Sequence, residues 1–178
     1  MENLEWVIIS YTLPREPSRI RVHLWRKLKK IGAANIQQSL WMLPLTEEND
    51  NTLSDIKDEV SQNNGEAFVM KCFTDEDTSI RIISRFNESR DEEYTELIEQ
   101  CEAYFREIDK ETARKNFSFA EIEENEEELL KLKQWFIKIM ARDTFKAPLR
   151  EKGELILAKC ADLLNEFCDK VYEYTENR

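Results

Sequence analysis

The chain has 178 residues and a net charge of -11, with 41% hydrophobic and 35% charged residues. That balance supports one domain or two small ones and leans toward long solvated helices, while its sign repels nucleic acid wherever cations do not gather locally. With 3 Gly and 4 Pro, few loops can carry the strained turns on which elaborate active sites are built.

The N-terminus, Met1 to Glu5, has no basic region leading into a long apolar run, so no secretory leader is expected. Trp6-Val7-Ile8-Ile9 is far too short to span a bilayer, and no membrane partner is expected. Trp6 to Leu13 reads as a buried strand closed by Pro14. Pro17 suits a helix start because a first-turn proline loses no helical hydrogen bond. Ile20, Leu24, Leu28 and Ile31 follow at helical spacing until Gly32.

Ala34 to Leu43 reads as two short strands kinked near Gln37-Gln38, with Pro44 ending them. Thr46 can cap a helix carrying Leu53, Ile56 and Val60, which Asn63-Asn64-Gly65 closes. Glu66 to Phe73 is a further strand. The order βαββαβ is the split pattern of a ferredoxin-like domain, assigned to residues 1–75.

After Thr74 the periodicity changes. Tyr94, Leu97, Ile98, Cys101, Tyr104, Phe105 and Ile108 recur at three and four. Ser118-Phe119-Ala120-Glu121 has the form of a capping box, opening a helix with Leu129, Leu132, Phe136 and Ile139 inward. Pro148 is expected to start a last helix with Leu157, Ala161, Leu164, Phe167, Cys168 and Val171 inward. The fold class is therefore α+β, with a bundle of long antiparallel helices over residues 76–178.

Charge is segregated along the chain. Residues 1 to 45 carry seven Lys and Arg against Glu2, Glu5 and Glu16, a surplus of +4 that leaves -15 for the rest. At about 100° per residue, Arg19, His23, Arg26 and Lys30 share one face of the first helix, away from its apolar set. A stripe of this kind binds phosphates or another oxyanion. The competing reading is a solvated face neutralised by the acidic helices. Val22 and Trp25 flank the apolar side, and Trp25 is expected to be covered by the C-terminal helices.

A second basic group, Arg142, Lys146 and Arg150, lies at the junction of the last two helices, where Phe145 and Pro148 would fix the loop. A small anion pocket is one reading, and arginine complementing a helix C-terminus is the other. The acid run Glu121 to Glu128 suits the positive end of its helix. A di-iron site would need Glu-x-x-His pairs, and His23 is the only histidine. Cys72, Cys101, Cys160 and Cys168 form no C-x-x-C pair and read as small buried thiols in a reducing cytosol. No phosphate loop, dinucleotide fingerprint or nucleophile elbow appears, so neither catalytic residue, metal nor cofactor is expected.

Several runs resemble the chromate-resistance regulator ChrB in its N-terminal part: Trp6 to Ile9, Leu13-Pro14-Arg15-Glu16-Pro17-Ser18, Trp25 to Ala33, Leu40-Trp41-Met42-Leu43-Pro44, and Arg142-Asp143-Thr144-Phe145-Lys146-Ala147-Pro148. The first part is also similar, more loosely, to the CRISPR-adaptation nuclease fold and to the C-terminal module of the phenylacetate-pathway repressor. That nuclease family carries an Asp at the end of its first strand, where this chain has Tyr11-Thr12-Leu13. The ChrB resemblance implies a bacterial, cytoplasmic, non-catalytic protein of transcription regulation, responsive to chromate. It implies a DNA-facing group, to which we assign Arg15, Arg19, His23, Arg26, Lys27 and Lys30, and an oxyanion-facing group, Arg142, Lys146 and Arg150. Longer members of the family carry a further C-terminal domain, and regulation that needs both parts is expected to be missing here. The expected partners are DNA, chromate or a similar oxyanion, and a second copy of the chain. The alternatives are a non-catalytic protein-interaction module, acting through the acidic bundle or a sheet edge, and a relative of the nuclease fold without its metal-binding Asp.

Overall fold

A computed structural model describes residues 4–176, so Met1, Glu2 and Asn3, read above for a leader and for charge, lie outside the described residues. The chain forms two compact units, the first ending at Ser89 and the second beginning at Arg90.

The first unit contains β1 (Glu5–Thr12), α1 (Ser18–Lys30), β2 (Ala34–Gln37), β3 (Leu40–Pro44), α2 (Glu47–Gln62) and β4 (Glu66–Phe73). The strands form one sheet in the order β2-β3-β1-β4, with every neighbouring pair antiparallel. Each crossover, β1-α1-β2 and β3-α2-β4, skips one strand, which is the ferredoxin-like arrangement that the element order implies.

Pairing sorts the side chains by parity, because successive residues point to opposite faces. Val7 and Ile9 share a face with Trp41, Leu43, Val69 and Lys71. Lys71 reaches Asp50 of α2 at 2.7 Å, which identifies this as the face toward α2. Leu24, Leu28, Leu53, Ile56 and Val60 are fully buried in this unit. The opposite face carries Trp6, Ile8 and Ser10 beside Met42, Leu40, Met70 and Phe68.

Local signals set the ends of these elements. Thr46 Oγ1 accepts the Asn49 N–H at 3.1 Å, the cap expected for α2. Pro17 stands one step before α1, in extended conformation, rather than inside its first turn. Gly32 leaves α1 at φ 81°, which a side chain would resist. The Gln38 kink separates β2 from β3, at φ 36°.

The third helix, α3 (Glu76–Arg114), starts well before the periodic run from Tyr94. Its first residues belong to the sheet: Phe86 stacks on Trp6 with ring centroids 5.9 Å apart, and Trp6 Nε1 donates to Thr74 Oγ1 at 2.9 Å. The division into units therefore falls inside α3 rather than at residues 75 and 76, where the sequence periodicity changes.

The second unit comprises the rest of α3, α4 (Phe119–Met140) and α5 (Arg150–Glu176). Its core joins Tyr94, Leu97, Cys101, Leu129, Leu132, Phe136, Ile139, Leu157, Leu164, Phe167 and Val171. Ser118 Oγ accepts the Glu121 N–H at 3.3 Å, one half of the expected capping box. The other half is replaced, because the Glu121 carboxylate accepts from Asn116 Nδ2. The last helix begins at Arg150, just beyond Pro148, which sits in the preceding turn.

Candidate functional site

Apolar spacing fixes how α1 sits: Leu24 and Leu28 go to zero exposure, which turns Arg19, His23, Arg26 and Lys30 outward together. α2 then meets part of that stripe. Glu59 Oε1 lies 2.8 Å from His23 Nε2, and Glu59 Oε2 accepts from Lys27 Nζ at 2.8 Å. The Lys27 hydrogen bond, aided by the charges of Lys27 and His23, holds the Glu59 carboxyl below its ordinary range against the opposing effect of burial. Two of the six DNA-facing candidates thus share one carboxylate.

The other four do not. No hydrogen bond or ion pair among the described residues engages the side chains of Arg15, Arg19, Arg26 or Lys30, and all four are exposed. Two further cations of the segment are held by neutral groups, so their charge persists. Arg21 donates to the carbonyls of Pro14 and Arg15, and Lys29 donates to Ser89 Oγ at 3.3 Å. Trp25, expected to be covered, is 49% exposed, with Lys29 Nζ 6.0 Å from its ring. Nothing in the spacing of α1 distinguishes a covered Trp25 from an open one.

The second basic group looks different in space. Arg142 is bonded to Glu93, whose other oxygen takes Arg90 Nη2 at 2.8 Å. Arg150 Nη1 lies 3.7 Å from Asp143 Oδ2. Asp143, fully buried, also accepts from Tyr94 Oη at 3.1 Å and from the Ala147 N–H at 2.9 Å. Asp91 Oδ1 takes the Leu149 N–H at 2.9 Å. Glu93 therefore serves both Arg90 and Arg142, Asp143 serves Arg150, and Asp91 holds the backbone ahead of α5. Burial pushes Arg90 below its usual range and, with the Asp143 charge, pushes the Tyr94 phenol well up. These contacts fasten the α4–α5 junction, and they leave the oxyanion candidates Arg142 and Arg150 already committed to carboxylates. Lys146 alone of that group is exposed and unengaged, at φ 54°.

Sequence reasoning missed Glu59, Glu93, Asp91 and Arg90. Arg90 and Glu93 are three apart on one helix and so were findable as a pair. The others meet their partners only through tertiary packing. A cleft of about 420 Å³ in the second unit is lined by Tyr104, Glu107, Glu121, Glu124 and Glu128, a carboxylate wall that repels oxyanions. Among the described residues no group of three or more His, Cys, Asp or Glu side chains is arranged to hold a metal ion. No helix among them is long and apolar enough to cross a membrane.

A ferredoxin-like sheet domain with a cationic helix, continued by long helices, defines a small α+β protein. Residues 21–178 match the family described as Protein ChrB, N-terminal, and the chain belongs to that family. The match begins within α1, so it includes Trp25 to Ala33 and the Arg142 to Pro148 run but not Arg15 or Arg19. No curated protein and no solved structure matches the chain.

Proposed function

We propose that this chain is a non-catalytic regulator of the chromate-resistance type that grips the phosphate backbone of DNA through α1. One observation carries the reading: Arg19, Arg26 and Lys30 line one face of α1, exposed and without a carboxylate partner among the described residues. A protein of net charge -11 can hold a polyanion only where such a local surplus outweighs the global repulsion. Phosphate contacts position the protein, and α1 offers no helix-turn-helix partner to feed base edges, so the binding depends weakly on sequence. A cytoplasmic, bacterial setting follows from the same reading. The oxyanion role proposed for Arg142 and Arg150 has less support, because both are engaged by carboxylates. In this reading chromate competes with DNA phosphates for the α1 cations, and sulfate competes in the same way, since arginine and lysine alone barely separate two anions alike in shape and charge.

Fluorescence anisotropy with duplex DNA across a salt series tests the proposal. Four phosphate contacts from Arg15, Arg19, Arg26 and Lys30 give a slope of log affinity against log salt of roughly -3 to -4. R19Q/R26Q/K30Q is expected to flatten that slope to about -1. Absence of DNA binding by the wild type at low salt overturns the reading.

A further inference from the structure

The two edges of the sheet are built differently. β2 is short, Ala34–Gln37, its pairing with β3 shifts register between Asn35 and Gln37, and its exposed side chains are Asn35 and Gln37. A short, bulged, polar edge is what discourages another strand from adding. β4 has none of these devices. All eight of its residues, Glu66–Phe73, stay in unbroken register with β1, and it contains no proline. β1 is its only neighbour in the sheet, and no backbone bond on its outer side is found among the described residues. Its outer row of amide and carbonyl groups is open, and Phe68 and Met70 beside it are 57% and 46% exposed.

We propose that β4 is a self-recognition edge: a second copy of this chain adds its own β4, antiparallel, about a two-fold axis through Val69, joining two four-stranded sheets into one of eight strands. The proposal does not rest on the DNA reading.

Three features select a second copy over a strand of another kind. First, the segment is self-complementary. In an antiparallel pair opposed residues lie on the same face, so a two-fold that keeps faces aligned must pass through a residue. Placed on Val69, it sets Phe68 of each copy against Met70 of the other, and the four side chains form one apolar cluster across the junction. Second, no like charges meet in this register: Glu66 faces Cys72 and Lys71 faces Ala67. Third, two chains of -11 each repel wherever acids crowd, yet Glu66–Phe73 carries one acid and one base. Lys71 is further balanced by Asp50 at 2.7 Å. The edge is therefore a nearly neutral strip on an acidic protein, where copies can approach. Main-chain hydrogen bonds would supply the affinity and the Phe68–Met70 cluster the register.

Sedimentation velocity from micromolar to hundred-micromolar protein tests this directly, together with amide hydrogen exchange. Wild type is expected to pass from monomer to dimer as concentration rises, with exchange slowing on β4 and not on β2. F68K/M70K puts four lysines around the axis on side chains that are already exposed. It is expected to stay monomeric with an unchanged far-ultraviolet circular dichroism spectrum. Should that variant misfold, the concentration-dependent protection of wild-type β4 decides the matter alone. A monomer at every concentration overturns the proposal and leaves the edge to a strand from another protein. A dimer that survives F68K/M70K, or one whose protection falls outside β4, overturns it equally.

Discussion

Glu59 of α2 accepts a hydrogen bond from Lys27 of α1 at 2.8 Å, and with its second oxygen it also holds His23. This one carboxylate is the only one recorded against the α1 cations among the described residues, so it sets how much of their charge faces solvent. E59Q is expected to raise DNA affinity and to steepen the salt slope by about one unit, because Lys27 becomes free to meet a phosphate. The same change removes a partly exposed pair and is expected to cost about 0.2–1 kcal/mol of stability. Parallel anisotropy and urea titrations read the two effects. Reduced DNA affinity in E59Q would show that Lys27 is not on the binding surface.

The pH dependence of that pair has a definite sign. The Glu59 carboxyl lies below its ordinary 4.5 in the folded chain, chiefly through Lys27. A depressed carboxyl contributes stability that is fully present above its unfolded value and is lost as pH falls through the folded one. The stability gap between wild type and E59Q is therefore expected to hold at neutral pH and to close below about pH 4. Urea midpoints of both proteins down the acid limb test it. A gap that persists at pH 2 would assign the effect to something other than ionisation of Glu59.

Tyr94 and Asp143 make the corresponding prediction for the second unit, at the other end of the pH scale. Burial and the Asp143 charge raise the Tyr94 phenol, and burial raises that of Tyr104. A raised phenol contributes stability that is complete below its unfolded value of 10.0 and is lost as pH rises above it. Both tyrosines are expected to resist ionisation, in ultraviolet titration, until the unit unfolds in alkali. Y94F should cost about 0.5–1.5 kcal/mol, one hydrogen bond. D143A should cost about 1–3 kcal/mol, since it leaves the buried Tyr94 hydroxyl and the Ala147 N–H without their acceptor. R142Q is expected to lower the thermal midpoint by less, whatever anion is present, because Glu93 loses one of its two arginine partners and keeps Arg90.

How far the sequence carried is best judged on particular residues. The limits of β1 and β4 were visible because β-branched and aromatic residues crowd both runs, and Thr46 and Ser118 announced their helices through side chains that accept backbone N–H groups. The first turns of α3 were hidden. Ile80, Ile83 and Phe86 do recur at three and Ile82 and Phe86 at four, but the run is short and Ile80 is exposed, so its stripe is weaker than the one that begins at Tyr94. A start signal was nonetheless present, since Asp75 Oδ1 accepts the Thr78 N–H at 2.7 Å. The cationic face of α1 followed from spacing alone. Its partial neutralisation did not, because Glu59 and Lys27 are brought together only by the packing of α2 beside α1. The arginines at 142 and 150 were seen as charges in a loop, but their carboxylates come from α3 and from Asp143, whose burial no local pattern reveals.

The four thiols should separate by access. Cys101 and Cys160 are fully buried, with Cys160 Sγ 4.0 Å from the Cys101 carbonyl, while Cys72 and Cys168 are half-buried. Burial raises Cys72 and Cys168 above the ordinary thiol range, and the neighbouring Cys101 thiol together with burial raises Cys160, which lowers the thiolate fraction on which reactivity depends. A disulfide-exchange reagent at neutral pH is expected to modify Cys72 and Cys168 slowly in the folded protein. Cys101 and Cys160 should react only on unfolding. Rapid labelling of four thiols under native conditions would contradict the packing of α3 against α5.

The turn before β4 poses a sharper test, because two adjacent residues there should respond in opposite directions. Asn64 sits at φ 58°, a left-handed conformation that glycine adopts without strain. N64G is therefore expected to be neutral or slightly stabilising. Gly65 has no positive φ, and its constraint is space: a Cβ there would lie 2.5 Å from the Thr12 carbonyl oxygen and 2.7 Å from Val60. Neither a backbone oxygen at the end of β1 nor a fully buried valine can retreat cheaply, so G65A is expected to cost about 1–3 kcal/mol. Since Thr12 and Glu66 are the last pair of the β1–β4 register, the shift that relieves the clash would open that end of the ladder first. Amide exchange in G65A should accelerate at Glu66 and Ala67 before it does at Lys71 and Cys72. Uniform acceleration along β4 would mean that the turn does not anchor the strand.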